Sequence, residues 1–526
     1  MWLILTAINY FWKGYGGDET QQAVQGLPAT ITTPAFLWET DVGTAALPNN
    51  IWASPTICNL SATEPGNEVL IKANSTLGDN TILYALRGTD GTELWNMSNF
   101  GLDPSSPACA DIDGDGLDEV ITRTFGDGVI AVDGDGTTLW TNTEPAYSFS
   151  SPVVSDVDPS SPGPEVIITG PSGSSAVLWI MSATGTTLRT ITISIPEQPA
   201  GTPAVGDIDG DGQKEVVVPT LFSGLLVIDP VSGSIEWTAS GLAINQTPVI
   251  IDADADGDLD VVYSYNGQYV QILNGADGSP IWPTAFDIAA HTTIADTHSV
   301  LVEHFAVWDT DGDGYVDIFF GDGGDSSNVS SHLLRISGGS SPSLGWLYSI
   351  PQWSYDGGGA LVDVDNDGDW DFLKTDDAGV LYALDANSGA LVWSITVDES
   401  GATVDPAVAV GDIDGDNCSE VVVLGYVSGF LGGNYMARAI DQSGGGGSGC
   451  SPLGHDDDLS VSENPTRTTH DLVSWRNGVP YLTTDASIYS KDGRLIRRLT
   501  AGSRISLPSG AYYVVHNGRV KRIVIR

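Results

Sequence analysis

A nine-residue stretch that recurs along the chain constrains it more than any other feature. Its clearest copy, Asp207-Ile-Asp-Gly-Asp-Gly-Gln-Lys-Glu215, places carboxylates at positions 1, 3, 5 and 9 and glycine at position 6. Like charges held so close destabilise a loop unless a cation is shared among them. Side-chain oxygens from positions 1, 3 and 5, a backbone carbonyl from position 7 and a closing acid at position 9 make an oxygen shell suited to Ca²⁺, and glycine allows the sharp turn. The flanks, Thr202-Pro-Ala-Val-Gly206 and Val216-Val-Val218, are apolar β-type runs. The unit is therefore strand–loop–strand.

Six intact copies occur, and their candidate metal ligands are Asp111, Asp113, Asp115 and Glu119; Asp207, Asp209, Asp211 and Glu215; Asp252, Asp254, Asp256 and Asp260; Asp309, Asp311, Asp313 and Asp317; Asp363, Asp365, Asp367 and Asp371; and Asp412, Asp414, Asp416 and Glu420. The start of each copy matches an EF-hand loop, but the glutamate of position 12 is missing and the acid at position 9 takes its place. Two degenerate copies, Asn59 to Glu68 and Asp156 to Glu165, carry Pro-Gly where acids should stand. One structural ion per intact loop, about six Ca²⁺, is expected, with none or weak occupancy in the degenerate pair. A period of roughly 45–57 residues belongs to propellers and solenoids.

Aligned on these loops, each repeat reads as four strands. The first carries Ser/Thr-Pro and enters the loop, the second leaves it, and a third follows. A turn such as Asn387-Ser-Gly389 leads to a fourth strand centred on Leu94-Trp95, Leu139-Trp140, Leu188-Arg189, Glu236-Trp237, Ile281-Trp282, Gly345-Trp346 or Val392-Trp393. The last repeat lacks a fourth strand, while Phe36-Leu-Trp38 precedes every loop. Pairing Phe36–Thr40 with the strand around Ala437–Ile440 closes a ring and leaves no open sheet edge. The fold class expected is all-β: an eight-bladed β-propeller with DxDxDGxx[DE] calcium loops, plus a small C-terminal β-sandwich.

The domain boundaries that follow are an N-terminal apolar segment and lead-in at 1–33, the propeller at 34–442, a Gly/Asp-rich linker at 443–464 and the sandwich at 465–526. In the last of these, Lys491-Asp-Gly493 and Asn517-Gly518 mark hairpins. Met1–Trp12 is apolar but too short to span a membrane, and reads as the remnant of a signal peptide or as an exposed apolar segment.

The formal net charge of −48 argues against nucleic acid and anionic membranes as partners. Of 20 basic residues, only Lys13, Lys72, Arg87, Arg123, Arg189, Lys214, Arg335, Lys374 and Arg438 precede Asp458. The basic tail is thus a separate module. Cys418 and Cys450 are a candidate disulfide, and Cys58 and Cys109 complete the four cysteines. Low-affinity calcium loops point outside the cell. His291, His298 and His304 fall in one connection, where a metal or catalytic cluster and an irregular loop with capping histidines are both open.

The loops resemble the FG-GAP/VCBS repeats of calcium-binding β-propellers, the family of integrin α-chain heads, over roughly residues 50–440. The turn-plus-Trp segments, such as Ala383 to Trp393, look like the tryptophan-docking repeats of quinoprotein dehydrogenases. That family's adjacent cysteine pair is absent, so this likeness implies blade packing alone. The tail, through Asn464-Pro465, Ile488–Arg494, Leu507–Tyr513 and Val520–Val524, resembles the type A sorting domain of the type IX secretion system. That likeness implies export and surface attachment.

Together these features lead us to expect a secreted, surface-displayed protein that acts in adhesion, binding or structure, not as an enzyme. Its partner would be a glycan or protein ligand at a propeller face, or a further copy of itself in a filament. The enzyme alternative is a polysaccharide lyase of the eight-bladed type, which would gather basic residues and a calcium in one groove to neutralise uronate.

Overall fold

The structure is a computed structural model. It describes residue 13, residues 17–443 apart from 46–52, 75–80, 99, 101–104, 125–127, 146–149, 173–174, 194–200, 222, 242–246, 293–303, 323–330, 353, 355–357, 377, 398–407 and 430–431, residue 450, and the backbone of the strands between 473 and 525. The N-terminal apolar segment 1–12, His298 and most of the linker lie outside these residues.

Eight four-stranded antiparallel sheets follow one another in sequence. In blade 4 the strands are a (Ala204–Gly206), b (Glu215–Thr220), c (Gly224–Ile228) and d (Ile235–Ala239). The a strands are three residues long and neighbour one another around the ring, so they are innermost. Strands a to c are apolar and buried, while strand d alternates between buried and exposed positions and forms the outer edge. Antiparallel order puts every a–b loop and every c–d turn at one rim of the ring.

The ring closes between its chain ends. Blade 8 takes a (Ala409–Gly411), b (Glu420–Gly429) and c (Gly432–Gln442) from the end of the propeller and d (Pro34–Ala45) from its start. Phe36 lies opposite Ile440 and Thr40 opposite Ala437, the register expected from the two incomplete ends.

Tryptophans link each blade to the next. The residue before the tryptophan is a β-bulge: Leu37, Leu94, Leu139, Glu236, Gly345 and Val392 are each skipped in the c–d register. A bulge re-aims the following side chain. The indole then donates to a carbonyl near the following blade's c–d turn: Trp38 to Gly88 (2.5 Å), Trp95 to Gly134 (2.8 Å), Trp140 to Ala183 (2.9 Å), Trp237 to Gly275 (2.6 Å) and Trp346 to Ala386 (2.8 Å). The indole also lies against a turn glycine at positive φ. A Cβ on Gly278 would come within 2.6 Å of Trp237. In blade 3 Arg189 replaces the indole, and its Nε donates to Val231 at 2.7 Å.

Blade 5 departs from the expected pattern. Its strand d is Phe286–Asp287, and Ile281-Trp282 lies before it in a bend. Pro280 and Pro283 flank that pair and cannot donate to a ladder. Trp282 still docks, donating to Gly339 at 3.2 Å.

Residues 19–31 are far more than a lead-in. They run along the inner edges of the a strands and satisfy backbone groups that an innermost strand leaves open. Val205, Ile250, Val307 and Leu361 donate their N–H groups to the carbonyls of Glu19, Thr20, Gln22 and Ala23 at 2.8–3.0 Å. Gln22 Nε2 donates to Ile250 (2.9 Å), and Gln25 Nε2 donates to Val410 (3.0 Å). Further out, Cys109 donates to the Lys13 carbonyl. The axis of the propeller is thus lined by its own chain.

The Ser/Thr of the Ser/Thr-Pro pairs in blades 1 to 4 serves the same inner ring. Ser54 N–H donates to the Ser106 hydroxyl, Ser106 N–H to that of Ser151, and Ser151 N–H to that of Thr202, passing from blade to blade at 2.8–3.1 Å. Two disulfides add covalent links. Cys58–Cys109 joins the a strands of blades 1 and 2, and Cys418–Cys450 ties the last acidic loop to the segment after blade 8.

The C-terminal unit is described by itself. It holds a two-stranded hairpin (Val473–Arg476 with Val479–Leu482) and a four-stranded sheet ordered Leu495–Leu499, Ala486–Ser490, Gly510–His516, Arg519–Ile525. Ala486–Ser490 pairs antiparallel with Leu495–Leu499, and Gly510–His516 with Arg519–Ile525, as the two expected hairpins require; the turn residues Lys491–Gly493 and Asn517-Gly518 lie outside the described residues. No helix among the described residues is long and apolar enough to cross a membrane.

Candidate metal centres

Each a–b loop is built on its own backbone amides. The position-1 aspartate accepts from the N–H of position 6: Gly116 to Asp111, Gly212 to Asp207, Gly314 to Asp309, Gly368 to Asp363 and Asn417 to Asp412, all at 2.9–3.1 Å. Asp113, Asp209, Asp311 and Asp414 accept in the same way from the residue two further on. Position 6 requires a left-handed backbone, with φ of 94° at Gly212 and 66° at Asn417, a conformation asparagine tolerates better than most residues.

The acid at position 9 ties the loop to its own backbone. In all eight loops one of its oxygens accepts the N–H of the residue after position 1, at 2.7–3.3 Å: Ile112 to Glu119, Ile208 to Glu215, Ala253 to Asp260, Thr310 to Asp317, Val364 to Asp371 and Ile413 to Glu420, and in the degenerate loops Leu60 to Glu68 and Val157 to Glu165. This explains why Glu68 and Glu165 persist in loops that carry Pro-Gly in place of other acids. In Glu68, Glu165 and Glu420 the other oxygen is buried and has no hydrogen-bond partner.

Carboxylates converge accordingly. In five intact loops three of them bring oxygens within 4.8 Å of one another: Asp111, Asp113 and Asp115; Asp207, Asp209 and Glu215; Asp252, Asp254 and Asp260; Asp309, Asp311 and Asp313; and Asp363, Asp365 and Asp371. Burial pushes Glu119 and Glu215 up to about 7, Asp371 to about 8 and Glu420 to about 10. Buried oxygens of Asp207, Asp365, Asp416 and Glu420 have no hydrogen-bond partner. Unpaired buried carboxylates are costly and call for a cation. The donor set is all oxygen, as hard cations such as Ca²⁺ require.

Arginines enter three of the loops. In degenerate loop 1, Arg87 Nε lies 2.8 Å from Glu64, and in degenerate loop 3, Arg189 Nη1 lies 2.6 Å from Asp158. In the intact loop of blade 6, Arg335 Nη2 lies 2.6 Å from Asp311 and 2.7 Å from Asp317. The sequence offered no pattern for these pairs, because Arg335 comes from strand c, Arg189 from strand d and Arg87 from the turn between them, each well removed along the chain from the loop acids it meets.

The described histidines do not form a common metal site. His304 is buried, its Nε2 lies 3.0 Å from the Gln21 carbonyl, and burial lowers its pKa to about 4. His291 caps a short 3-10 turn and stacks on Phe286 at 4.6 Å.

No protein-family model matches the chain, and no curated protein is similar to it in sequence. Solved structures share the fold. A europium-containing methanol dehydrogenase superposes with a TM-score of 0.59 at 10% identity, covering 82% of this chain and 98% of that one. The quinohemoprotein alcohol dehydrogenase of Comamonas testosteroni does so at 0.55 and 12% identity, over 82% and 81% of the two chains. The V. cholerae biofilm matrix protein Bap1 gives 0.54 at 14% identity, over 78% and 91%. The propeller fold is thus common to enzymes and to a matrix protein, and at these identities the likeness concerns fold alone.

Proposed function

We propose that this chain is a secreted, surface-displayed propeller, stabilised by Ca²⁺ in its acidic loops, that acts in adhesion or matrix structure without turnover. The observation that carries this reading is the use made of the propeller's nine basic side chains. Lys13, Arg87, Arg189, Lys214, Arg335 and Arg438 pair with Asp118, Glu64, Asp158, Glu19, Asp311 and Asp317, and Glu39 respectively. Lys72, Arg123 and Lys374 are buried, the first two against backbone carbonyls. A lyase must hold uronate carboxylates with cations, and these cations are already engaged. The axial inner edges, occupied by residues 19–31, are likewise committed to the chain itself.

Two disulfides suit an oxidising compartment, and the matrix-protein neighbour offers a fold-level precedent. The reading takes the acidic loops as FG-GAP/VCBS-like and the tail as a sorting-domain-like export signal, both from their sequence motifs alone. Incubation with pectic polysaccharides in millimolar calcium, followed by ultraviolet detection of unsaturated products, tests the absence of turnover. Immobilised glycans and matrix proteins test binding. Saturable binding without product formation supports the proposal, and product formation lost in Asp→Ala loop variants refutes it.

A further inference from the structure

The Asp309 loop differs from the intact loops of blades 4, 7 and 8 in that a guanidinium pairs with two of its acids. Arg335 lies in strand c of blade 6 (Ser331–Ser337) and is 5% exposed. Its Nη2 bridges Asp311 Oδ2 at 2.6 Å and Asp317 Oδ1 at 2.7 Å. Its Nη1 donates to the Asn387 carbonyl of the next blade's c–d turn at 3.1 Å. The other oxygen of Asp317 accepts from the Thr310 hydroxyl at 2.6 Å and from its N–H at 3.3 Å. Both oxygens of the closing acid are therefore committed. In blades 4 and 7, by contrast, the closing acids Glu215 and Asp371 converge with positions 1 and 3, and in blade 8 Glu420 keeps a buried oxygen without a hydrogen-bond partner.

The strand beside Arg335 is shaped for it. The bulged residue before Trp346 is glycine, where other blades carry leucine, valine or glutamate, and a Cβ on Gly345 would come within 3.0 Å of the Arg335 stem. Degenerate loops 1 and 3 likewise pair an acid with an arginine, Glu64 with Arg87 and Asp158 with Arg189. A guanidinium suits such pairing, being permanently charged and presenting a rigid fork of donors to carboxylates.

We propose that Arg335 is the resident cation of the Asp309 loop, so that this loop is closed by arginine and takes no calcium while other intact loops do. The inference rests on the calcium reading of those other loops. A divalent ion held by Asp311 and Asp317 would sit beside the guanidinium, and like charges a few ångströms apart repel strongly in a half-buried site.

Native mass spectrometry of the full chain, equilibrated in millimolar calcium and freed of unbound ions by buffer exchange, counts the bound ions. Arg335→Met is expected to hold one calcium more than the unaltered chain, and its melting temperature to depend more steeply on calcium. Asp317→Asn is expected to leave the count unchanged, while Asp371→Asn lowers it by one. Equal, non-zero counts for the unaltered chain and Arg335→Met overturn the proposal, as does loss of one ion in Asp317→Asn. Absence of calcium from every form overturns instead the calcium reading on which the inference stands. Should Arg335→Met fail to fold, the two aspartate variants decide alone.

Discussion

Arg438 and Glu39 face each other across the seam that closes the ring, with Nε 2.8 Å from the carboxylate. The same guanidinium lies over the Phe36 ring, 5.2 Å from its centroid, and donates to the Val397 carbonyl of blade 7. One side chain thus joins strands d and c of blade 8 and the neighbouring blade. Arg438→Ala is expected to lower unfolding free energy by about 1–3 kcal/mol, more than a surface ion pair contributes. Deleting residues 34–45 should expose the strand c edge and produce aggregation. Urea titration and light scattering check both, and a soluble, equally stable deletion product would contradict the closure.

The tryptophan column gives a second expectation. Trp237→Ala removes a buried indole and its bond to Gly275, and should cost about 3–5 kcal/mol. Trp393 differs, because its Nε1 is buried without a hydrogen-bond partner. It faces the blade whose c–d turn is replaced by the two chain ends. Trp393→Phe should therefore be tolerated better than Trp237→Phe in the same denaturation assay.

Much of this architecture was legible in the sequence because each repeat states its loop, its turn and its docking residue in side chains. The incomplete ends even named each other. The path of residues 19–31 was not legible, because Gln22 and Gln25 meet backbone groups of several blades and no periodicity records such partners. Cys58 and Cys109 stand one repeat apart, each just before its loop, and that shared blade position was the signal that could have paired them. The Asp309 loop looked identical to the others because Arg335 reaches it only in three dimensions.

The inner segment yields a third expectation. Gln25 donates to Val410 and accepts from the Leu27 N–H, both buried. Gln25→Ala leaves those groups unsatisfied, at a cost of about 1–3 kcal/mol each. Hydrogen exchange should then accelerate at the Leu361 amide, which bonds to Ala23 beside it. Unchanged exchange would show that the segment does not order the inner ring.

A pH dependence follows from the loops. Glu119 and Glu215, raised to about 7, bind protons in the calcium-free folded chain at pH values where an unfolded glutamate is ionised. The folded state then holds more protons than the unfolded state between about pH 4.5 and 7, so calcium-free stability falls as pH rises through that window. His332 adds to the same trend. Its hydrogen bond to Asp322 at 2.7 Å raises its pKa, so this contribution is complete below the unfolded value and fades as pH rises through the folded one. In chelator, melting temperature should therefore climb on acidification from pH 8 to 5. In calcium the loop contribution should vanish, leaving the part that His332→Gln removes.

The most direct test of a ring stapled by metal at its acidic loops is thermal unfolding of the full chain at pH 7.5 in 2 mM calcium against excess chelator, followed by circular dichroism. With each site at about 100 times its dissociation constant, binding contributes roughly 2.7 kcal/mol per loop. The account predicts a drop in melting temperature on the order of 10 °C in chelator, restored by calcium but not by magnesium. A melting temperature unmoved by chelator, with the chain shown free of bound metal, would contradict it.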